Sequence, residues 1–161
     1  NYKMEFVGYI FLTLGVFITM EGVTWLTHKF VMHGSAGWFL HEDHHQPGYP
    51  HVFEKNDAFF VVFAVPSMML FYFGTRGEIN WMFFVGLGIL LYGIAYFTVH
   101  DVLIHRRFKW FDNTNNWYLR GLRKAHKIHH KHLGKEDGEC FGMLFVPMKY
   151  FREARLSTSK K

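Results

Sequence analysis

Hydrophobic positions fall into three long runs, and polar positions gather between and after them. Residues 6–27 are uncharged apart from Glu21, and residues 58–73 and 81–99 carry no charge at all. As helices rising 1.5 Å per residue, these runs reach roughly 33, 24 and 28 Å, against a hydrocarbon core of about 30 Å. Long uncharged runs flanked by Trp and Tyr suit a bilayer better than the buried helices of a soluble bundle. The middle run is the shortest for the purpose.

Residues 34–57 form a polar connection containing QPGYP, which breaks any helix, and Asp57 is placed to cap the second run. Residues 74–80 are a tight turn. After the third run come RRFKWF, a DNTNN loop and a helix from Leu119 to His130. The FGMLFVPM stretch, 141–148, is too short to span and reads as a re-entrant or interfacial patch. The expected fold is all-α: a single-domain (1–161) integral membrane bundle of three helices, with a fourth segment left open, under a histidine-rich helical cap.

Chemistry enters with the histidines. HKFVMH supplies His28 and His33, and HEDHH supplies His41, His44 and His45. The same order returns in HDVLIH, with His100 and His105, and in HKIHH, with His126, His129 and His130. Ten of the 12 histidines thus sit in two spacings used twice, which points to a polynuclear transition-metal site. Ten imidazoles are too many for one ion and suit two ions with about five each, leaving positions open for chemistry. In H-x-x-H-H the three rings share roughly a third of a helix circumference and are expected to converge on one side. The i, i+5 pairs lie about 140° apart on an α-helix, so such a pair either serves two ions or straddles a helix end.

Three spans put all ten histidines on one side. Of 18 Lys and Arg only Lys3 and Arg76 lie on the other. By the positive-inside rule the histidine face is cytoplasmic. The formal net charge of +5 therefore describes one face, which suits anionic lipid or an acidic electron carrier and makes nucleic acid a poor partner. Cys140 is the only cysteine, excludes an intrachain disulfide and reads as a packing residue. The first run leads straight into the histidines and is expected to stay in the mature protein rather than leave as a signal peptide.

Several residues are candidates for supporting roles. Glu21 is an ionisable group inside a span; it or Thr24 can orient His28, or Glu21 can pair elsewhere. Tyr96 stands one turn before His100 and can support it. Gly8, Gly15 and Gly22 recur every seven residues and are expected to admit another helix, while Gly86, Gly88 and Gly93 are expected to leave room for a rod-shaped ligand.

The four histidine motifs, with FEKNDAFFVVFA, YFTVHDVLIHRRF and GKEDGECFGMLFVP, resemble the membrane fatty-acid hydroxylase superfamily, and within it the bacterial and plant β-carotene 3-hydroxylases. The resemblance covers most of the chain. It implies a non-haem di-iron monooxygenase of the bacterial inner membrane that hydroxylates the β-ionone rings of β-carotene with O2 and two external electrons. The implied ligands are His28, His33, His41, His44, His45, His100, His105, His126, His129 and His130. His51 and His132 match no motif, His132 being the better spare ligand, and the Glu42–Asp43 pair departs from the more neutral residues expected there. No G-x-G-x-x-G follows a strand and no cysteine cluster exists, so electrons must come from a partner, by resemblance a ferredoxin with its reductase. Zinc can occupy such ligands in a purified protein. The rivals are a fatty-acyl or sterol hydroxylase or desaturase of the same superfamily, and a membrane metal-binding or transport protein, which would need ligands along a path near the midplane.

Overall fold

The computed structural model describes residues 2–46, 53–108, 110 and 114–158. His51 and most of the QPGYP turn lie outside them. All regular structure among the described residues is helical: α1 (Tyr2–Leu26), α2 (Trp38–His41), α3 (Ala58–Gly74), α4 (Trp81–Phe97), α5 (Trp117–His129) and α6 (Met148–Thr158). Short 3₁₀ turns cover Asp43–His45 and Lys55–Asp57, and π-helical turns continue α1 through Thr27–Met32 and α4 through Thr98–Ile104.

With these extensions three helices are long and apolar enough to cross a membrane: Met4–Met32, Lys55–Gly74 and Trp81–Ile104. Their outward faces are apolar. Phe11, Ile18, Phe60, Met68 and Ile94 are all more than half exposed, a surface that water would penalise and lipid would not. The short middle run gains its length at its start, where Glu54 rather than Asp57 is the cap. The Glu54 amide donates to Asp57 Oδ2 at 3.0 Å, closing a capping box one turn earlier than expected. Asn80 caps α4, accepting from the Met82 amide at 3.0 Å.

The central member is α4, packed against both α1 and α3. Gly88 lets α1 approach so closely that an added Cβ would stand 2.7 Å from Val16 Cβ and 2.8 Å from the Thr13 carbonyl. Gly86 does the same toward α3, 3.1 Å from the Ser67 carbonyl. Both are therefore filled by neighbouring helices and leave no room for a ligand, contrary to expectation. Gly8, Gly15 and Gly22 are the reverse, for nothing among the described residues approaches them, and Gly93 likewise faces open space, as expected of it. Thr13 Oγ1 donating to the Phe84 carbonyl and Ser67 Oγ to the Gly86 carbonyl tie the three helices without exposing polar groups.

The cap sits on the ends of α1 and α4. Asn116 starts α5 by accepting from the amides of Tyr118 and Leu119. Leu122 of α5, Phe151 of α6 and Met143 between them pack on Val99 and Leu103. Arg123 donates through Nε and Nη2 to the Leu103 carbonyl, satisfying an acceptor at the end of the third spanning helix. The sequence reading assigned no element to α6. The 141–147 stretch neither spans nor forms a helix; it is an irregular strap, bent at residues 143–144, that ties to the first spanning helix through Glu21.

Candidate metal centre

The ten motif histidines come together. Eight are buried, and His105 and His130 are half-buried. They form two groups: His28, His33, His41 and His129 in the first, and His44, His100, His105 and His126 in the second. His45 joins the first through His41, Nε2 to Nε2 at 3.2 Å, and His130 joins the second through His126 at 2.8 Å. The rings of His45 and His130 stack at 4.5 Å, so the groups adjoin.

The i, i+5 pairs straddle helix ends, one of the two forms expected of them, whereas the triplets depart from the expected convergence. Each i, i+5 pair stays within one group, while each H-x-x-H-H triplet is split. The pairs stay together because of the helix type: the His33 amide donates to the His28 carbonyl at 3.0 Å and the His105 amide to the His100 carbonyl at 2.9 Å. An i→i+5 bond sets the two residues one above the other across a widened turn, so both rings leave the same face. The triplets divide alike, the i and i+4 rings staying together and the i+3 ring leaving for the other group, because i+3 and i+4 leave a helix about 100° apart; the first does so through a 3₁₀ turn at Asp43–His45. In α5 and its end, His129 faces the first group while His126 and His130 face the second.

Acceptors behind the rings fix the tautomers. Nδ1 of His28 lies 3.1 Å from the Phe141 carbonyl, of His33 3.0 Å from that of Lys135, of His45 2.9 Å from that of His132, and of His129 2.8 Å from that of Glu139. His41 Nδ1 meets Asn56 Oδ1 at 2.7 Å, His44 Nδ1 meets Glu54 Oε2 at 2.6 Å, and His100 Nδ1 meets Asp101 Oδ2 at 3.3 Å. These oxygens accept, so Nδ1 carries the proton and each Nε2 presents a lone pair inward. His132 thus contributes its backbone carbonyl rather than a ligand ring.

The inward nitrogens fit metal ions. The Nε2 separations are 3.2 Å for His28–His41 and His33–His129, 2.9 Å for His44–His100, and 3.0 Å for His105–His126. Adjacent ligands about 2.1 Å from one ion at right angles stand about 3.0 Å apart. Two lone pairs at that distance repel unless a cation lies between them. Burial, followed by the neighbouring imidazoles, lowers the pKa of His45 to about 4 and of His129 to about 3. Burial likewise takes His41 down to about 2, and His44, His105 and His126 well below their ordinary value. Neutral rings are the form that binds metal.

The surroundings were only partly anticipated. Glu21 does not touch a histidine: its Oε1 accepts from the amides of Met143, Leu144 and Phe145 at 2.9–3.0 Å, and its Oε2 from the Tyr92 hydroxyl at 2.7 Å. Thr24 is buried beside Tyr92, not at His28. Tyr96 packs its ring against His100, 4.9 Å away and tilted by 31°, and Trp38 and Phe141 pack on rings of the first group. The Cys140 thiol donates to the Tyr150 hydroxyl and is not a ligand. Arg107, unremarked in the sequence, reaches Glu54 at 2.8 Å, Asp57 at 2.9 Å and Asp101 at 3.1 Å. It gets there because Arg106 takes a left-handed φ of 56°, folding the chain back so that the Arg107 amide bonds the Asp101 carbonyl. Burial pushes the Glu54 carboxyl up, against the pull of Arg107. A cavity of about 320 Å³ opens beside the second group, lined by Asp43, Glu54, His105, His126, His130 and Leu133 among others.

Comparison with known proteins agrees with this geometry. The fatty acid hydroxylase family model matches residues 13–151, a span that includes all ten histidines. The chain is 41% identical over 144 residues to a beta-carotene hydroxylase of Pantoea ananas, covering 86% of this chain and 79% of that protein. It is 42% identical to one of Pseudescherichia vulneris, covering 80% and 72%. A chloroplastic beta-carotene 3-hydroxylase of Arabidopsis thaliana is 37% identical, covering 89% of this chain and 47% of the plant protein. No solved structure matches the chain.

Proposed function

Because the chain belongs to the fatty acid hydroxylase family, we propose that it is a carotenoid 3-hydroxylase, converting β-carotene through β-cryptoxanthin to zeaxanthin. The substrate rests on one observation: bacterial and plant relatives named for β-carotene hydroxylation match 80% or more of the chain.

The ligands we assign are His28, His33, His41, His45 and His129 to one ion, and His44, His100, His105, His126 and His130 to the other. Two iron ions bound there would supply reductive activation of dioxygen, drawing two electrons from outside the chain. The protein's part is to hold neutral imidazoles with Nε2 inward, through Asn56, Glu54, Asp101 and four backbone carbonyls. Trp38, Tyr96 and Phe141 shield ring faces from water, which keeps an oxidising centre from wasteful reactions. Helices with apolar outer faces place the centre where a lipid-soluble ring can reach it. On this reading the histidine side faces the cytoplasm of a bacterial inner membrane, and its basic residues receive an acidic donor such as a ferredoxin with its reductase.

The family's name supports a second reading, hydroxylation of a fatty acyl chain. Expression in cells that accumulate β-carotene separates the two. Appearance of β-cryptoxanthin and zeaxanthin is the expected result. Unchanged β-carotene in the presence of iron-loaded protein and a competent reductant removes the carotenoid assignment.

A further inference from the structure

Resting on the reading that the histidines hold two ions, we infer that the two positions are unequal: the ion held by His44, His100, His105, His126 and His130 is bound more tightly than its neighbour.

The difference lies behind the rings. Every Nδ1 acceptor of the first group is a neutral amide oxygen: the carbonyls of Phe141, Lys135, His132 and Glu139, and the Asn56 side chain. In the second group Glu54 backs His44 at 2.6 Å and Asp101 backs His100 at 3.3 Å, both carboxylates. An imidazole that donates to a carboxylate leans toward imidazolate, and its Nε2 becomes the stronger electron donor to a cation. Hydrogen-bond number does not explain the asymmetry, since the buried Nδ1 of His126 has no partner among the described residues. Charge decides it.

Arg107 keeps both carboxylates in place. Its Nη2 holds the Glu54 oxygen that faces His44, its Nε holds the other oxygen of Asp101, and its Nη1 holds Asp57. Three carboxylates against one guanidinium leave negative charge directly behind the second group. Among the described residues no carboxylate accepts from a ring of the first group: Glu139 offers His129 its backbone carbonyl, and Glu21 is taken up by three amides and a phenol. Glu54, Asp101 and Arg107 are thus positioning residues that rank the two sites.

The test is a stepwise titration of the metal-free full-length protein in detergent micelles with Co2+ against a competing chelator, following cobalt absorption. The wild type is expected to bind two ions in two resolved steps. Glu54→Gln and Asp101→Asn keep an acceptor but remove its charge, and should weaken the tighter step by about 10- to 100-fold while leaving the looser one unchanged. Asn56→Asp places a carboxylate behind His41 and should tighten the looser step, a gain that misfolding cannot imitate. Two ions bound with equal affinity, a loss in E54Q confined to the looser step, or no tightening in N56D overturns the inference while leaving the two-metal reading intact. Failure of the wild type to bind any ion overturns both.

Discussion

Tyr92 donates its hydroxyl to Glu21 at 2.7 Å in the interior of the helix bundle, which turns the buried acidic residue of the first spanning helix into a strut. The other carboxylate oxygen takes three successive amides of the strap, and that strap carries the Phe141 carbonyl behind His28. Glu21→Ala orphans three amides and a phenol in an apolar setting, and we expect it to cost about 3–5 kcal/mol. Tyr92→Phe leaves Glu21 its three amides and should cost about 1–2 kcal/mol. Thermal melting in micelles gives the ranking. Release of metal to a chelator should quicken in Glu21→Ala and barely change in Tyr92→Phe; equal effects would show that the strap is held by something other than Glu21.

The i→i+5 bond from His33 to His28 makes a second prediction. Deleting Val31 restores α-helical spacing but brings position 33 into register as an i+4 residue and rotates everything after it by about 100°. The first group should lose His33, His41 and His45, and the second should lose His44 from the same segment while keeping His100, His105 and His126 on elements beyond the deletion. Metal content should fall from two ions to one. Two retained ions would mean that the π-turn is incidental to ligand placement.

The three long apolar helices and the convergence of the ten histidines were legible in the sequence because each answers a constraint that acts on residue type: lipid excludes charge over a fixed length, and a transition-metal site calls for imidazoles. How the motifs share the ions was not legible. An i, i+5 pair looks the same whether the helix stays α or widens to π, and HEDHH gives no sign that its end tightens. Partners distant in the chain were equally hidden: Glu21 finds amides 122–124 residues away, and Arg107 finds Glu54 and Asp57 about fifty residues earlier. Charge in an apolar run announced that Glu21 has a role, but not with whom. Gly86 and Gly88, though not Gly93, were read in the wrong direction, since a helix can approach a glycine as readily as a ligand can.

That glycine supplies a third prediction. A Cβ at Gly88 meets Val16 Cβ and the Thr13 carbonyl of helix α1, atoms on or next to the backbone that cannot swing aside as a side-chain end could. Gly88→Val must push α1 and α4 apart, at about 1–3 kcal/mol or more, and should lower both melting temperature and yield of folded protein. Gly15→Val enters open space on the outer face of α1 and should be near neutral. If Gly15→Val proves the more damaging, that face is packed against another molecule.

Acid should destabilise the metal-free protein in a defined window. His45, His129 and His41 hold folded values of about 4, about 3 and about 2, lowered first by burial from 6.5 in the unfolded chain. Above 6.5 these rings are neutral in both states and contribute no slope. As pH falls below it the unfolded chain takes up protons that the folded chain refuses, so stability falls, and it keeps falling until each folded value is reached. Melting temperature in micelles should be level from about pH 8 to about pH 7 and drop steadily toward about pH 5. Bound metal favours the folded state by mass action and occupies the same Nε2 lone pairs, so loading should raise the whole curve and carry its fall to lower pH. A melting temperature that climbs on acidification, with or without metal, would mean that these imidazoles gain protons on folding and are not the neutral ligands their surroundings make them.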